Sequence, residues 1–147
     1  MEKVVLDTNI LIDGIKDEHS AAWKVVAKIF EKQVILCVSN QLRKEYETIL
    51  RREISDENYR QRIHGIFNIA EEVYVNNVQR IVQDDPEDDK VIATALAASA
   101  DVLISEDRHL LDLDPYGDLR IMRPAEFLNR DQQDSSWSDF AKMIGLR

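Results

Sequence analysis

Apolar positions fall along this chain in two rhythms: short continuous runs, and longer stretches in which they recur every three or four residues. The first rhythm predicts buried strands and the second amphipathic helices. Lys3 to Leu6 reads as a short strand, and a helix follows Asp7 from about Thr8 to Ile15. Asp17-Glu18 opens a second helix, with Ala22, Trp23, Val26, Ile29 and Phe30 on one face and Lys24, Lys28 and Lys32 on a solvated one. Val34 to Val38 is the second strand. Ser39 suits an N-cap, whose side chain accepts from free N–H groups at a helix start. Leu42, Tyr46, Ile49 and Leu50 form the core face of the helix it opens. Asp56 caps a long helix in which Tyr59, Ile63, Ile66, Phe67, Ala70 and Val73 keep the spacing, and Val73 to Ile81 reads as extended or irregular.

From Asp85 the pattern is helix, then strand. Asp85 is placed as N-cap with Pro86 at the first helical position, where its missing N–H costs nothing. Val91, Ile92, Ala95, Leu96 and Ser99 make the apolar stripe of that helix, and Val102-Leu-Ile104 is a strand ending in Ser105-Glu106-Asp107. His109-Leu-Leu111 reads as a helical turn, Asp114-Pro-Tyr-Gly117 as a turn, Leu119 to Met122 as a last strand and Pro124 to Leu128 as a short helix. Strands alternating with helices imply an α/β fold with parallel strands. Residues 129 to 136 are then polar, after which Trp137, Phe140, Ala141 and Ile144 recur at helical spacing. The chain therefore divides into a domain over residues 1–129 and a tail over 130–147. The tail's amphipathic helix has three open uses: docking on the domain, on a second copy, or on a partner.

Parallel strands give the acids of this chain a meeting place. Asp7 and Asp107 each follow the C-terminal end of a strand, where open α/β sheets build their sites. The helix start carrying Asp88 comes to the same edge. At about 100° per residue, Asp88 falls within the stripe of Val91, Ile92 and Ala95, with Asp89 at its border. A first helical turn suits acids because the dipole and free N–H groups stabilise them. That explains Asp85 and Glu87 facing water, but less well a carboxylate on the buried face. Convergence of Asp7, Asp88 and Asp107 would set like charges ~4 Å apart, a repulsion of roughly 4 kcal/mol at an effective dielectric near 20. Such a group shares protons or binds a cation, and an all-oxygen set selects Mg²⁺ or Mn²⁺. Glu45 borders the core face of its helix beside Leu42 and Ile49. Pattern alone favours a surface charge there, on a helix rich in Arg, Lys and Glu.

Composition narrows the classes. The 147 residues are enough for one domain with a proper core. No run approaches the ~18 apolar residues of a membrane span, and a strand rather than a signal pattern at the start implies a cytoplasmic protein. The single cysteine, Cys37, reads as strand core, and the three histidines are scattered, without zinc spacing. A net charge of −9 counts against a broad duplex-binding surface. It leaves room for a nuclease whose acids gather round a metal, and it favours a basic protein partner.

Taken together these segments resemble the PIN-domain nucleases, in particular the toxins of toxin–antitoxin pairs. The matching pieces are Val4-Val-Leu-Asp-Thr-Asn9, Ser39-Asn-Gln-Leu-Arg-Lys-Glu45, and Asp85-Pro-Glu-Asp-Asp-Lys90 leading to Ala93-Thr94-Ala95. Leu103-Ile-Ser-Glu-Asp107 before Leu110-Leu111 and Arg123-Pro-Ala-Glu-Phe127 complete them, in the family's order, across roughly residues 3 to 128. The resemblance implies a three-layer α/β/α fold with a central, mostly parallel sheet of four to five short strands. It also implies metal-dependent hydrolysis of phosphodiester bonds in single-stranded RNA. Asp7, Glu45, Asp88 and Asp107 match the family's catalytic, metal-binding acids, and Asn9 and Ser105 its supporting polar positions. Ser105 stands where the family usually has Thr and keeps the hydroxyl. Glu106 stands where a small or neutral residue is more usual. A basic antitoxin is the protein partner the resemblance implies, and a homodimer is expected beside it. Two rival readings remain at this point. An Asp-nucleophile phosphatase also places Asp after the first strand, but needs an acid where this chain has Asn9. A PIN-like fold kept as a catalytically silent binding or dimerisation module could retain the acids without turnover.

Overall fold

A strand that is apolar at every position is stable only if both faces of its sheet are covered. Val4, Val5, Leu6, Leu36, Cys37, Val38 and Val102 to Ile104 are all buried in this way. The computed structural model describes residues 1–76, 86–130 and 143–145. Its elements begin with β1 (Lys3–Leu6), α1 (Thr8–Lys16), α2 (Ala21–Phe30), β2 (Ile35–Ser39), α3 (Asn40–Glu53) and α4 (Glu57–Ile69). They continue with β3 (Glu71–Val73), α5 (Pro86–Ala97), β4 (Val102–Ile104), α6 (Arg108–Leu111) and β5 (Arg120–Met122), and residues 124–130 are helical as well.

The five strands form one sheet in the order β3-β2-β1-β4-β5, parallel throughout. Val4 is in register with both Leu36 and Val102, and Leu6 with Ile104. The chain moves outward from β1 to β3, then returns to lay β4 on the other side of β1. Right-handed crossovers running in opposite directions put helices on opposite faces, and the result is a three-layer α/β/α domain. The reversal makes the gap between the C-terminal ends of β1 and β4 the topological switch point. Among the described residues no helix is long and apolar enough to cross a membrane.

Local chemistry fixes the element ends. Ser20, Ser39 and Asp56 each accept a hydrogen bond from the backbone N–H three residues on, at Trp23, Leu42 and Tyr59. Two buried phenols then tie helices to the β1–α1 unit: Tyr46 of α3 donates to the Leu6 carbonyl, and Tyr59 of α4 to the Leu11 carbonyl at 2.8 Å. Tyr46 also stacks on Phe67, with ring centroids 5.6 Å apart.

Several boundaries differ from the sequence pattern, each for a local reason. Asp17 does not open the second helix; its carboxylate accepts from His19 N–H at 2.8 Å, and Ser20 takes the cap. That helix ends at Phe30, so Lys32 lies beyond the lysine row, in the left-handed region at φ 58°. The N–H of Gln33 reaches the Lys28 carbonyl and that of Lys32 the Ile29 carbonyl, the pair of bonds that closes a Schellman C-cap. The same motif closes α5, through Ala100 to Ala95 and Ser99 to Leu96, with Ser99 at φ 50°. Ser99 therefore faces solvent rather than the core stripe; Leu96, still inside α5, is exposed too, and Ala98 is buried instead. The long helix stops at Ile69, and Val73 belongs to β3, opposite Ser39 of β2. The proposed cap Asp85, the stretch from 77 to 81, and Trp137, Phe140 and Ala141 of the tail lie outside the described residues; Ile144 is half-exposed in a turn.

Two measurements check this account. A left-handed conformation costs a residue with a Cβ about 1–2 kcal/mol, so Lys32→Gly should raise unfolding free energy by about 1 kcal/mol in urea titrations; a loss would contradict the cap. Burial lifts the Tyr59 phenol from 10.0 to about 12 and the Cys37 thiol from 9.0 to about 11. The unfolded chain ionises these groups first, so their stabilising effect is complete below about pH 9 and is lost as pH rises through the folded values. Urea midpoints should fall between about pH 9 and pH 12, and Tyr59→Phe should make that fall less steep.

Candidate metal centre

Backbone pairing brings the first two acids together. The Asp7 N–H donates to the Ile104 carbonyl at 3.0 Å, extending the β1–β4 ladder past the strand ends. Asp7 thereby becomes the residue before α1, buried and extended, its side chain unused as a helix cap. One hydroxyl joins it to the end of β4. Ser105, fully buried, donates to Asp7 Oδ2 at 2.8 Å and accepts the Asp107 N–H at 2.9 Å. Asp107 in turn caps α6, its Oδ1 accepting from His109 N–H at 2.9 Å.

The third acid arrives on α5. Asp88 is buried in the first turn of that helix, and one carboxylate oxygen each from Asp7, Asp88 and Asp107 lie within 4.8 Å of one another. Asp89, which the helical wheel places at the edge of the apolar stripe, is buried too, at 2% exposure. It does not join the three-carboxylate set. Exposure does not separate the two aspartates; membership of the carboxylate cluster does. Helix α5 is held in place by a second hydroxyl relay. Thr94 donates to the Lys90 carbonyl at 2.8 Å, and Ser39 stands 2.7 Å from the Thr94 hydroxyl while accepting the Leu42 N–H. With Thr94's proton committed to Lys90, Ser39 is the donor between them.

Glu45 stands beside the cluster rather than in it. Its Oε2 accepts from the Thr8 hydroxyl at 2.7 Å, which fixes it next to Asp7. The next residue on α3, Tyr46, is wedged against the same acids. Burial, then the negative charges of Asp7 and Glu45, push its phenol well above the ordinary value, so it stays a neutral donor to the Leu6 carbonyl. Asn9 is exposed in the first turn of α1. Glu106 is exposed at the rim and paired with Arg123 at 3.3 Å, which offsets the extra acid there. Thr8, Tyr46 and Thr94 escaped the sequence pattern as site-building residues. For Thr8 and Tyr46 the available signal was adjacency to Asp7 and Glu45.

The donor set fits a hard divalent ion. Ligand oxygens on opposite sides of Mg²⁺ are about 4.2 Å apart, from bonds of about 2.1 Å. Three carboxylates within 4.8 Å close on such an ion with small side-chain rotations. No soft ligand competes: Cys37 is buried within β2, and the described cluster contains oxygen donors only.

A family model described as PIN domain matches residues 3–109. Uncharacterized protein MJ1680 of Methanocaldococcus jannaschii is 28% identical over an alignment of 116 residues that covers 76% of this chain and 74% of that protein. Among solved structures, VapBC2 from Rickettsia felis bound to a DNA fragment from their promoter is similar with a TM-score of 0.56. Its identity is 13%, and the match covers 81% of this chain and 96% of that one. At that identity the likeness speaks for the fold.

The crowding of three carboxylates has a measurable cost in the metal-free protein. Asp88→Asn keeps the shape and removes one charge, so unfolding free energy in EDTA should rise, by about 1–3 kcal/mol at an effective dielectric near 20. A calorimetric melting temperature lowered by the substitution would contradict the clustering.

Proposed function

The chain belongs to the PIN domain family of nucleases, and from that premise we propose that it is a Mg²⁺- or Mn²⁺-dependent ribonuclease acting on single-stranded RNA, the toxin of a toxin–antitoxin pair. The observation that carries this reading is the meeting of Asp7, Asp88 and Asp107 within 4.8 Å at the switch point of a parallel sheet. Open α/β sheets bind ligands at such a point.

In this reading Asp7, Asp88 and Asp107 hold the ion, with Glu45 ligating directly or through water. A bound divalent ion supplies a water of lowered pKa and offsets charge on the phosphorane-like transition state. The rest is work for the chain's own groups. Ser105 fixes the Asp7 carboxylate and the Asp107 backbone through one hydroxyl, so neither ligand can turn away independently. Thr8 holds Glu45, keeping an acid beside the cluster for proton transfer or a water ligand. Asn9, exposed in the same turn, is free to hydrogen-bond a phosphate or a water at the mouth. Tyr46 remains protonated and adds no negative charge. RNA as substrate puts the site of action in the cytoplasm.

The resemblance to the toxin subgroup supports an antitoxin partner. A basic segment reaching the cluster with Arg or Lys would satisfy its carboxylates by charge-assisted hydrogen bonds and exclude the metal. A homodimer completes the proposal, with residues 1–129 as the nuclease domain and the tail from 130 as a separate segment.

The test is cleavage of a labelled single-stranded RNA with Mg²⁺ or Mn²⁺. Wild type should cut it, EDTA should stop cleavage, and Asp88→Asn should lose about a hundredfold or more, consistent with loss of metal-assisted chemistry. Either ion should also stabilise the protein by about 2.7 kcal/mol at a hundredfold excess over Kd, and Asp7→Asn should abolish that gain. No cleavage with either ion, together with no thermal shift, would point instead to a silent binding module.

A further inference from the structure

Along the outer face of α3, beside the acids, lies an open groove of about 430 Å³. Its walls carry Lys44, Arg52 and Lys90, together with Gln41, the half-buried Ile49 and Glu45. Three cationic side chains around one groove stand out in a chain of net charge −9. Arg52 is shared with Glu53 at 3.4 Å, an exposed pair of the kind that contributes little. Among the described residues neither Lys44 nor Lys90 has an ion-pair partner.

Two of the residues that line the groove lead to the carboxylate cluster, Glu45 through a hydrogen bond and Lys90 along the chain. Glu45 lines it and is held by Thr8, the neighbour of Asp7. Lys90 lines it from α5, two residues after Asp88, and the Ser39–Thr94 hydroxyl pair fixes α5 against the start of α3. A ligand that occupies the groove and reaches the metal must be negatively charged along its length. It must also be narrow enough to pass one helix face, and able to set an apolar face on Ile49. A single nucleic-acid strand meets all three demands, because basic grooves track its backbone while bases lie on apolar or aromatic surfaces.

We infer that this groove is the substrate track: Lys44, Arg52 and Lys90 bind the backbone phosphates flanking the scissile one, and a base rests on Ile49. The inference rests on the nuclease reading and adds a path to it. It also resolves the charge question, since the acidic body repels duplexes broadly while one cationic face admits a strand.

The experiment compares wild type, Lys44→Ala/Lys90→Ala and Lys44→Arg/Lys90→Arg as full chains on a labelled oligouridylate, in Mn²⁺, across a range of salt. The Ala pair should raise KM tenfold or more with kcat little changed. It should also flatten the slope of log kcat/KM against log salt by about 1.4, near 0.7 for each lost single-strand phosphate contact. The Arg pair should restore both. If wild type cleaves and the Ala pair matches it in KM and slope, the track is overturned while the nuclease stands. A fall in kcat alone would overturn it too, since the lysines would then serve the chemistry. Inhibition by polyglutamate as strong as by non-cleavable RNA of equal charge would assign the groove to an acidic protein segment instead. Absence of any cleavage by wild type overturns the nuclease reading and the track with it.

Discussion

Three carboxylates held within 4.8 Å of one another cannot be a product of local preference, because each repels the other two. Something must prevent each from turning to water. Two arrive on neighbouring parallel strands whose apolar residues are buried on both faces, and the third on a helix anchored to the same sheet edge. Side chains can rotate, but the backbone at each acid is held by the sheet edge or the first turn of α5. The hydrophobic core thus does the mechanical work of the site. The burial of Val4 to Leu6 and Val102 to Ile104 fixes where Asp7 and Asp107 must stand.

Around that cluster the structure uses neutral hydroxyls as spacers. Ser105 touches Asp7 and the backbone of Asp107, Thr8 touches Glu45, and Tyr46 closes the Leu6 carbonyl beneath them. A lysine or arginine in any of these places would have paired with the acids. The chosen groups orient carboxylates by hydrogen bonds without cancelling their charge, as supports of metal ligands generally do. Positive charge is kept instead one helix face away, on Lys44, Arg52 and Lys90. The charge therefore changes sign over a short distance, from cationic side chains along the groove to the clustered carboxylates.

Much of this was legible along the chain. Continuous apolar runs marked β1, β2 and β4 because strands buried on both faces have no polar positions to alternate. Their ends then located Asp7 and Asp107, and helical spacing located Asp88. What escaped was whatever depends on partners distant in sequence. Glu71-Glu72-Val73 has no strand pattern of its own and becomes β3 only by pairing with Cys37 to Ser39. Asp89 is covered by neighbours that a single-helix projection does not contain. Ser99 leaves the helical stripe because the chain turns there into a left-handed cap without glycine. Glu45 had no signal beyond a border position until the family motif singled it out, and its partner Thr8 is 37 residues away.

The shape of β3 has a further effect on the molecule as a solute. A strand at the margin of a sheet exposes unpaired amide groups, and flat, apolar margins template the addition of other chains. Here that margin is three residues long, and two of them are glutamates. Glu71 pairs with Lys3 at 3.2 Å and Glu72 with Arg43 at 2.8 Å, so the edge strand keeps charged side chains anchored to β1 and α3. The weak strand signal that hid this element in the sequence is thus also a guard against aggregation: an edge too short and too charged to recruit a second sheet.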